Sequence, residues 1–187
     1  MRDRDVRTCL TSHLRAEHPE SDTLFVDELD LGGLVRVDLA VVNGSFWGYE
    51  IKSARDNLRR LPSQVQVYSR TLDRAALVVA ECHATKAIEF LPNWWEVIIA
   101  TENQGSIQLN QLRRGTQNPV VDPWSLVQLL WREEALDELQ KRGIDRGVRS
   151  KPRREIWRRM TEELDTSTIQ ETVRNRLRSR IGWRAGQ

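Results

Sequence analysis

The stretch "LVRVDLAVVNGSFWGYEIKSARDN", Leu34 to Asn57, decides the fold. Two strand-like runs, "LVRVDLAVV" and "FWGYEIKS", flank Asn43-Gly44-Ser45, which is a hairpin signal. Side chains alternate across a strand, so Glu50 and Lys52 share one face and Ile51 takes the other. The place of Asp38 depends on the loop. A two-residue Asn43-Gly44 turn sets Asp38 opposite Tyr49, whereas a three-residue loop pairs Val42 with Phe46 and sets Asp38 opposite Glu50. A slip of one residue moves every side chain to the other face. The apolar pattern selects between the two. In the longer loop's register one face presents Arg36, Asp38, Ala40, Gly48, Glu50 and Lys52, and the other presents Val37, Leu39, Val41, Trp47, Tyr49 and Ile51. The shorter turn mixes them. The expectation is therefore the odd loop or an equivalent bulge, with two carboxylates on neighbouring strands and Cβ atoms ~5 Å apart.

Working outward, Val6, Leu10 and Leu14 recur at helical spacing between Asp5 and about Glu17, which predicts a helix. "TLFVDELDLGG" reads as a strand entering a Gly-Gly turn. Pro62 suits the first turn of a helix through about Thr71. "AALVVA" is a short buried-strand run, Thr85 is a candidate cap for the helix "KAIEFL" ended by Pro92, and "WWEVIIAT" and "SIQLNQL" read as further strands. The order α-β-β-β-α-β-α-β-β is an α/β layered core over residues 1–120. From residue 121 to 187 a helical unit follows. "DPWSLVQLLWREEALDELQKRG" reads as one helix, with Asp122 as N-cap, Pro123 at the first position and Gly143 after the last turn. "IDRGVRSKP" reads as a basic loop and "RREIWRRMTEEL" as a further helix. Trp131, Trp157 and Trp183 are expected to pack in the core of this unit.

Two close carboxylates repel, and each stays ionised cheaply only with a cation between them. Oxygen ligands without histidine or thiolate select Mg²⁺ or Mn²⁺ over zinc. Lys52, on the same face, is a candidate to position or deprotonate a water, or to neutralise charge building on a phosphate. The alternative is an ordinary cross-strand charge cluster on a solvated sheet face.

The stretch "RVDLAVVNGSFWGYEIKSARDNLRRLPSQVQVYSR" resembles the PD-(D/E)XK nuclease superfamily, in particular its small stand-alone bacterial and phage proteins. The resemblance is strongest from Val35 to Arg70. The signature aspartate falls on Asp38 and the Glu-x-Lys on Glu50, Ile51 and Lys52; Val37 stands where a proline commonly precedes the aspartate. The resemblance implies a restriction-endonuclease-like αβββαβ core with a mixed sheet. It also implies metal held by Asp38, Glu50 and the carbonyl of Ile51. The exonuclease-like branch adds Gln-x-x-x-Tyr on the next helix, matched by Gln64 and Tyr68 on one helical face. Gln64 would then help to place the scissile strand, and Tyr68 would lie with the DNA-binding residues. For the further upstream acid, Glu28 is the candidate ahead of Asp30 and Glu17. The implied activity is a Mg²⁺- or Mn²⁺-dependent deoxyribonuclease; the alternative is a degenerate DNA-binding or adaptor protein on a nuclease fold. Many such nucleases act as homodimers, and repair, recombination, defence and mobile-element settings all stay open.

Charge supports a polyanionic partner. The formal net charge of +2 divides into −2 over residues 1–120 (14 Lys+Arg against 16 Asp+Glu) and +4 over residues 121–187 (15 against 11). Candidate DNA-binding residues are Arg149, Lys151, Arg153, Arg154 and Arg158, near the start of the last predicted helix; Arg174 to Arg184 adds five arginines. "ALDELQKRGIDRGVRSKPRREIW" is similar in part to the helix-turn-helix of SAP-type DNA-binding modules, through Leu136, Leu139, Arg142-Gly143 and Gly147. The charged N-terminus lacks a signal-peptide run, and no apolar run approaches the ~20 residues that span a bilayer. Cys9 and Cys82 lack zinc-ligand spacing. Together these point to a cytoplasmic protein with buried or idle thiols and no membrane partner.

Overall fold

The computed structural model describes residues 1–180. The fold is α/β: a six-stranded mixed sheet with helices, followed by a helical C-terminal unit. Contacts divide the chain into two compact units, Met1–Val120 and the residues from Val121 onward. The first runs α1 (Asp3–Glu17), β1 (Leu24–Leu31), β2 (Val35–Val42), β3 (Phe46–Lys52), α2 (Leu61–Thr71), β4 (Arg74–Ala80), α3 (Glu81–Ile88), β5 (Glu96–Asn103) and β6 (Ser106–Arg113). Strands lie in sequence order. β3, β4 and β5 are parallel, because a helix returns the chain between them, while the other neighbours are antiparallel.

The hairpin takes the longer loop. Val42 pairs with Phe46 and Leu39 with Tyr49. Asn43 closes the loop by accepting from the Ser45 N–H on its side-chain oxygen and donating its own N–H to the Ser45 carbonyl. α1 buries Val6, Leu10 and Leu14 against Phe25, Leu39, Val41, Tyr49 and Ile51. The other face of the hairpin is covered rather than solvated. Gly48 lies under the end of α2, where an added Cβ would stand 2.3 Å from Leu72 Cδ1 and 3.2 Å from Val37 Cγ1.

Two details of the face assignment are therefore corrected. Gly48 is packing, not open working surface. Val37 lies on its side of the sheet, not among the residues facing α1. The cause is a break in alternation. Pairing of β1 with β2 steps from Asp27↔Leu39 to Leu29↔Val37, and Glu28, between them, takes a left-handed φ of 52°.

Two further boundaries differ from expectation. α3 begins at Glu81, directly after β4, so Thr85 is inside the helix and caps nothing. In the second unit the run expected as one helix is broken into α4 (Pro123–Val127) and α5 (Arg132–Lys141). Asp122 caps α4 as expected, accepting from the Trp124 and Ser125 N–H groups. Trp131, however, is extended (ψ 158°), and its N–H is taken by Glu134, which starts a new helix. α6 (Arg153–Glu163) follows, then α7 (Thr166–Ser179), whose cap Asp165 accepts from the Thr168 N–H. Among the described residues no helix is long and apolar enough to cross a membrane.

Candidate active site

β3 carries Glu50 and Lys52 under α2, so that each is almost wholly buried, at 1 % and 5 % exposure. A buried carboxylate is costly unless every oxygen is provided for. Glu50 Oε1 accepts from Lys52 Nζ at 2.5 Å and from Gln64 Nε2 at 2.6 Å; Oε2 accepts from the Tyr68 hydroxyl at 2.5 Å. Gln64 and Tyr68 reach it together because i,i+4 residues share a helical face. Burial first, then the charge of Glu50, raises the Tyr68 pKa well above its ordinary value, which keeps the phenol a donor. The Tyr68 ring is stacked on Trp95, with centroids 5.6 Å apart. Tyr68 is thus buried and holds Glu50, a correction to its expected place at the DNA surface. The amide oxygen of Gln64 is buried with no partner among the described residues.

Asp38 stands at the break in β2. Its Oδ2 accepts from the Ile51 N–H at 2.8 Å, so its carboxylate continues the hairpin where the ladder stops. Arg7 of α1 approaches Oδ1 at 3.3 Å, donates to the Asp38 carbonyl and is also within 3.4 Å of Asp3. Burial, and then the charge of Glu50, pushes the Asp38 carboxyl up to about 6, against the opposing pull of the Ile51 N–H, Arg7 and Lys52. Asp38, Glu50, Ile51, Lys52 and Gln64 line one open cleft of about 820 Å³, whose rim includes Glu28, Arg36, Arg60 and Ser63.

Of the upstream acids, Glu28 is exposed and turned to Arg36 at 3.7 Å; its left-handed backbone carries it out of the ladder at the level of Asp38. Asp30 accepts from the Gly33 N–H at 2.8 Å, and Glu17 faces His13 on the last turns of α1. Among the described residues no group of three or more His, Cys, Asp or Glu side chains is gathered to hold a metal. What remains is a set of hard oxygens: two carboxylates and the backbone of Ile51. It fits Mg²⁺ or Mn²⁺ in kind, since hard oxygens without histidine or thiolate suit these ions. Arg7 gives no signal in the sequence, where it is one of several charges on an amphipathic helix; only the packing of α1 brings it to Asp38.

A family model described as "Bacteriophage P4 protein cII" matches residues 1–185. The chain belongs to this family. It is similar to protein cII of Enterobacteria phage P4, with 23 % identity over 96 % of this chain and 68 % of that protein. Its fold is similar to that of the SPO1766 protein of unknown function from Silicibacter pomeroyi, with a TM-score of 0.50, 20 % identity, and coverage of 81 % of this chain and 98 % of that one.

In this cII-family chain the basic candidates of the second unit are not equivalent. Arg149 is paired with Asp145, and Arg158 with Glu155 and, at 3.8 Å, Glu162. Arg132 donates to the carbonyls of Arg149 and Lys151, which pins the basic loop. Lys151, Arg153 and Arg154 are exposed and make no ion pair among the described residues. Trp157 is buried as expected, but Trp131 is half exposed, with Arg180 over its ring at 4.4 Å. Its position as the cap of α5 turns it away from the core. Trp183 and Arg184 lie outside the described residues.

Proposed function

We propose that this chain is a Mg²⁺- or Mn²⁺-dependent deoxyribonuclease of the PD-(D/E)XK type. The observation that carries this reading is the meeting of Asp38, Glu50, Lys52 and Gln64 in one cleft on the register that the Asn43-Gly44-Ser45 loop sets. Asp38, Glu50 and the Ile51 carbonyl would hold the ion. When bound, it supplies a Lewis acid for a phosphate oxygen and a more acidic water. The chain's own residues do the rest. Gln64 and Tyr68 hold the Glu50 carboxylate from one side, and the Ile51 N–H orients Asp38. The Lys52 ammonium, held at Glu50 in the lining of the cleft, would neutralise charge developing on a phosphate there. Arg7 keeps a positive charge against Asp38 from the side of α1.

The test is incubation with linear, circular, single-stranded and branched DNA, with and without Mg²⁺ or Mn²⁺. Metal-dependent cleavage is expected, and Asp38→Asn and Lys52→Ala each reduce it by at least about 100-fold while circular dichroism stays unchanged. Full activity in a purified, folded Lys52→Ala protein would overturn the assignment. A second reading, a DNA-binding protein with a residual nuclease fold, draws support from Glu50, whose oxygens already accept three donors. It predicts DNA binding with no turnover under any metal.

A further inference from the structure

Most charged side chains of the second unit that face one another are engaged. Arg149 pairs with Asp145, Arg158 with Glu155, Arg176 with Asp137 and Glu138, and Arg180 with Glu134. Arg153 and Arg154, adjacent at the start of α6, have no acidic partner among the described residues. They form two walls of a cavity of about 510 Å³, with Trp124, Gln128, Pro152 and Trp157 as the others. None of these lining residues is an acid.

The two indoles have different roles. Their rings meet edge to face, with centroids 6.5 Å apart and planes at 90°. Trp157 belongs to the core: it is 7 % exposed and its N–H donates to the Leu130 carbonyl at 3.2 Å. Trp124 is only half-buried, and its indole N–H makes no hydrogen bond among the described residues. Arg153 lies over the Trp157 ring, its guanidinium carbon 4.4 Å from the ring centroid, a cation–π contact that holds it at the cavity. The cavity is thus lined by a half-buried indole, a guanidinium over a buried ring, a proline ring and a second guanidinium.

A flat π-system with an attached anion matches that set. An unpaired base presents both, since every base has a stacking face and a neighbouring phosphate. In a duplex those faces are covered by neighbouring bases, so duplex DNA would offer phosphates and groove edges to Arg153 and Arg154 but no stacking face to Trp124. We infer that this cavity takes one unstacked base of single-stranded DNA, against Trp124 and Arg153, with Arg154 on the adjoining phosphate. This rests on the nucleic-acid reading of the second unit and deepens it by naming the substrate form. It does not depend on cleavage.

The experiment measures binding by fluorescence anisotropy of the full chain in EDTA, where no metal-dependent turnover occurs. The probes are oligo(dT), an abasic strand of equal length and charge, and a duplex. The unaltered chain binds oligo(dT) about 10-fold more tightly than the abasic strand, in line with base–aromatic stacking. Trp124→Ala removes most of that preference, and Trp124→Phe retains most of it. Arg154→Gln weakens binding to both strands alike. Equal affinity of the unaltered chain for oligo(dT) and the abasic strand overturns the inference, and this comparison needs no variant to fold. So does a Trp124→Ala protein with unchanged melting temperature and unchanged preference. Failure of the nuclease reading is distinguishable, since it leaves base preference intact while no cleavage follows on adding Mg²⁺.

Discussion

Asp38 shows how one residue's setting is written in its titration. Its carboxyl stands near 6 rather than its ordinary 3.8, because burial and Glu50 outweigh the Ile51 N–H, Arg7 and Lys52. The folded chain then binds a proton at Asp38 more tightly than the unfolded chain does. In metal-free protein this stability is present below pH 4 and is lost as pH rises through 6. Its span is at most about 3 kcal/mol at ~1.4 kcal/mol per pKa unit. Urea denaturation of the unaltered and Asp38→Asn proteins in EDTA, at pH 4.5 and pH 7 (both ~0.1 M salt), checks it. The variant is expected to gain relative stability at the higher pH. An equal difference at both values would refute the assignment. Tyr68 is a second residue-scale case. Tyr68→Phe strips Glu50 Oε2 of its donor, with an expected stability loss of about 1–3 kcal/mol. Under the proposed nuclease function, the same change lowers cleavage through misplacement of Glu50 rather than through loss of a DNA contact.

At the scale of elements, the hairpin and α2 act as one unit. The three-residue loop sets the register, β3 then carries Glu50 and Lys52 toward α2, and Gly48 allows the close approach of Leu72. Gly48→Ala places a methyl 2.3 Å from Leu72 Cδ1. Overpacking of this kind is expected to cost about 1–3 kcal/mol, read as a lower urea midpoint with an unchanged slope. The element order of the first unit was legible because its strands and helices carry clean periods and the turn residues Gly32, Gly33, Asn43 and Gly44 mark their ends. The break between α4 and α5 was not. Residues 123–141 keep a helical period throughout, yet α4 ends at Val127, and Glu134 takes the Trp131 N–H at the start of α5. α7 carries Ile169, Val173 and Leu177 at the same four-residue spacing that marks α1, so this helix is legible in the sequence beside its arginines.

At the scale of the whole molecule, charge is divided between the two units, and net charge overstates what the basic unit can offer a polyanion. Lys151, Arg153 and Arg154 are uncompensated, whereas Arg149 and Arg158 already hold acids. Neutralising Lys151, Arg153 and Arg154 together should flatten the salt dependence of DNA binding, by a slope change of about 0.7–0.9 for each phosphate that no longer meets a cation. Neutralising Arg149 and Arg158 should change it less, because each frees a carboxylate as it removes a cation. A salt slope untouched by the triple change would show that DNA is held elsewhere.

The sequence by itself determined the α/β class, the order of elements in the first unit, the division of charge and the hairpin register, since each follows from local periodicity, turn chemistry or simple counting. It also pointed to Asp38 beside Glu50 through the loop length, although the ladder stops at Leu39 and the Ile51 N–H, not strand pairing, holds the Asp38 carboxylate there. Tertiary structure alone decided what surrounds them. Arg7 reaches Asp38 across the packing of α1, Tyr68 is buried on Glu50 instead of facing solvent, and Glu28 turns out of the ladder to Arg36. These outcomes depend on which helix covers which face and on where backbone alternation breaks. Neither is encoded in the spacing of residues along one strand; both are settled by the packing of elements far apart in the chain.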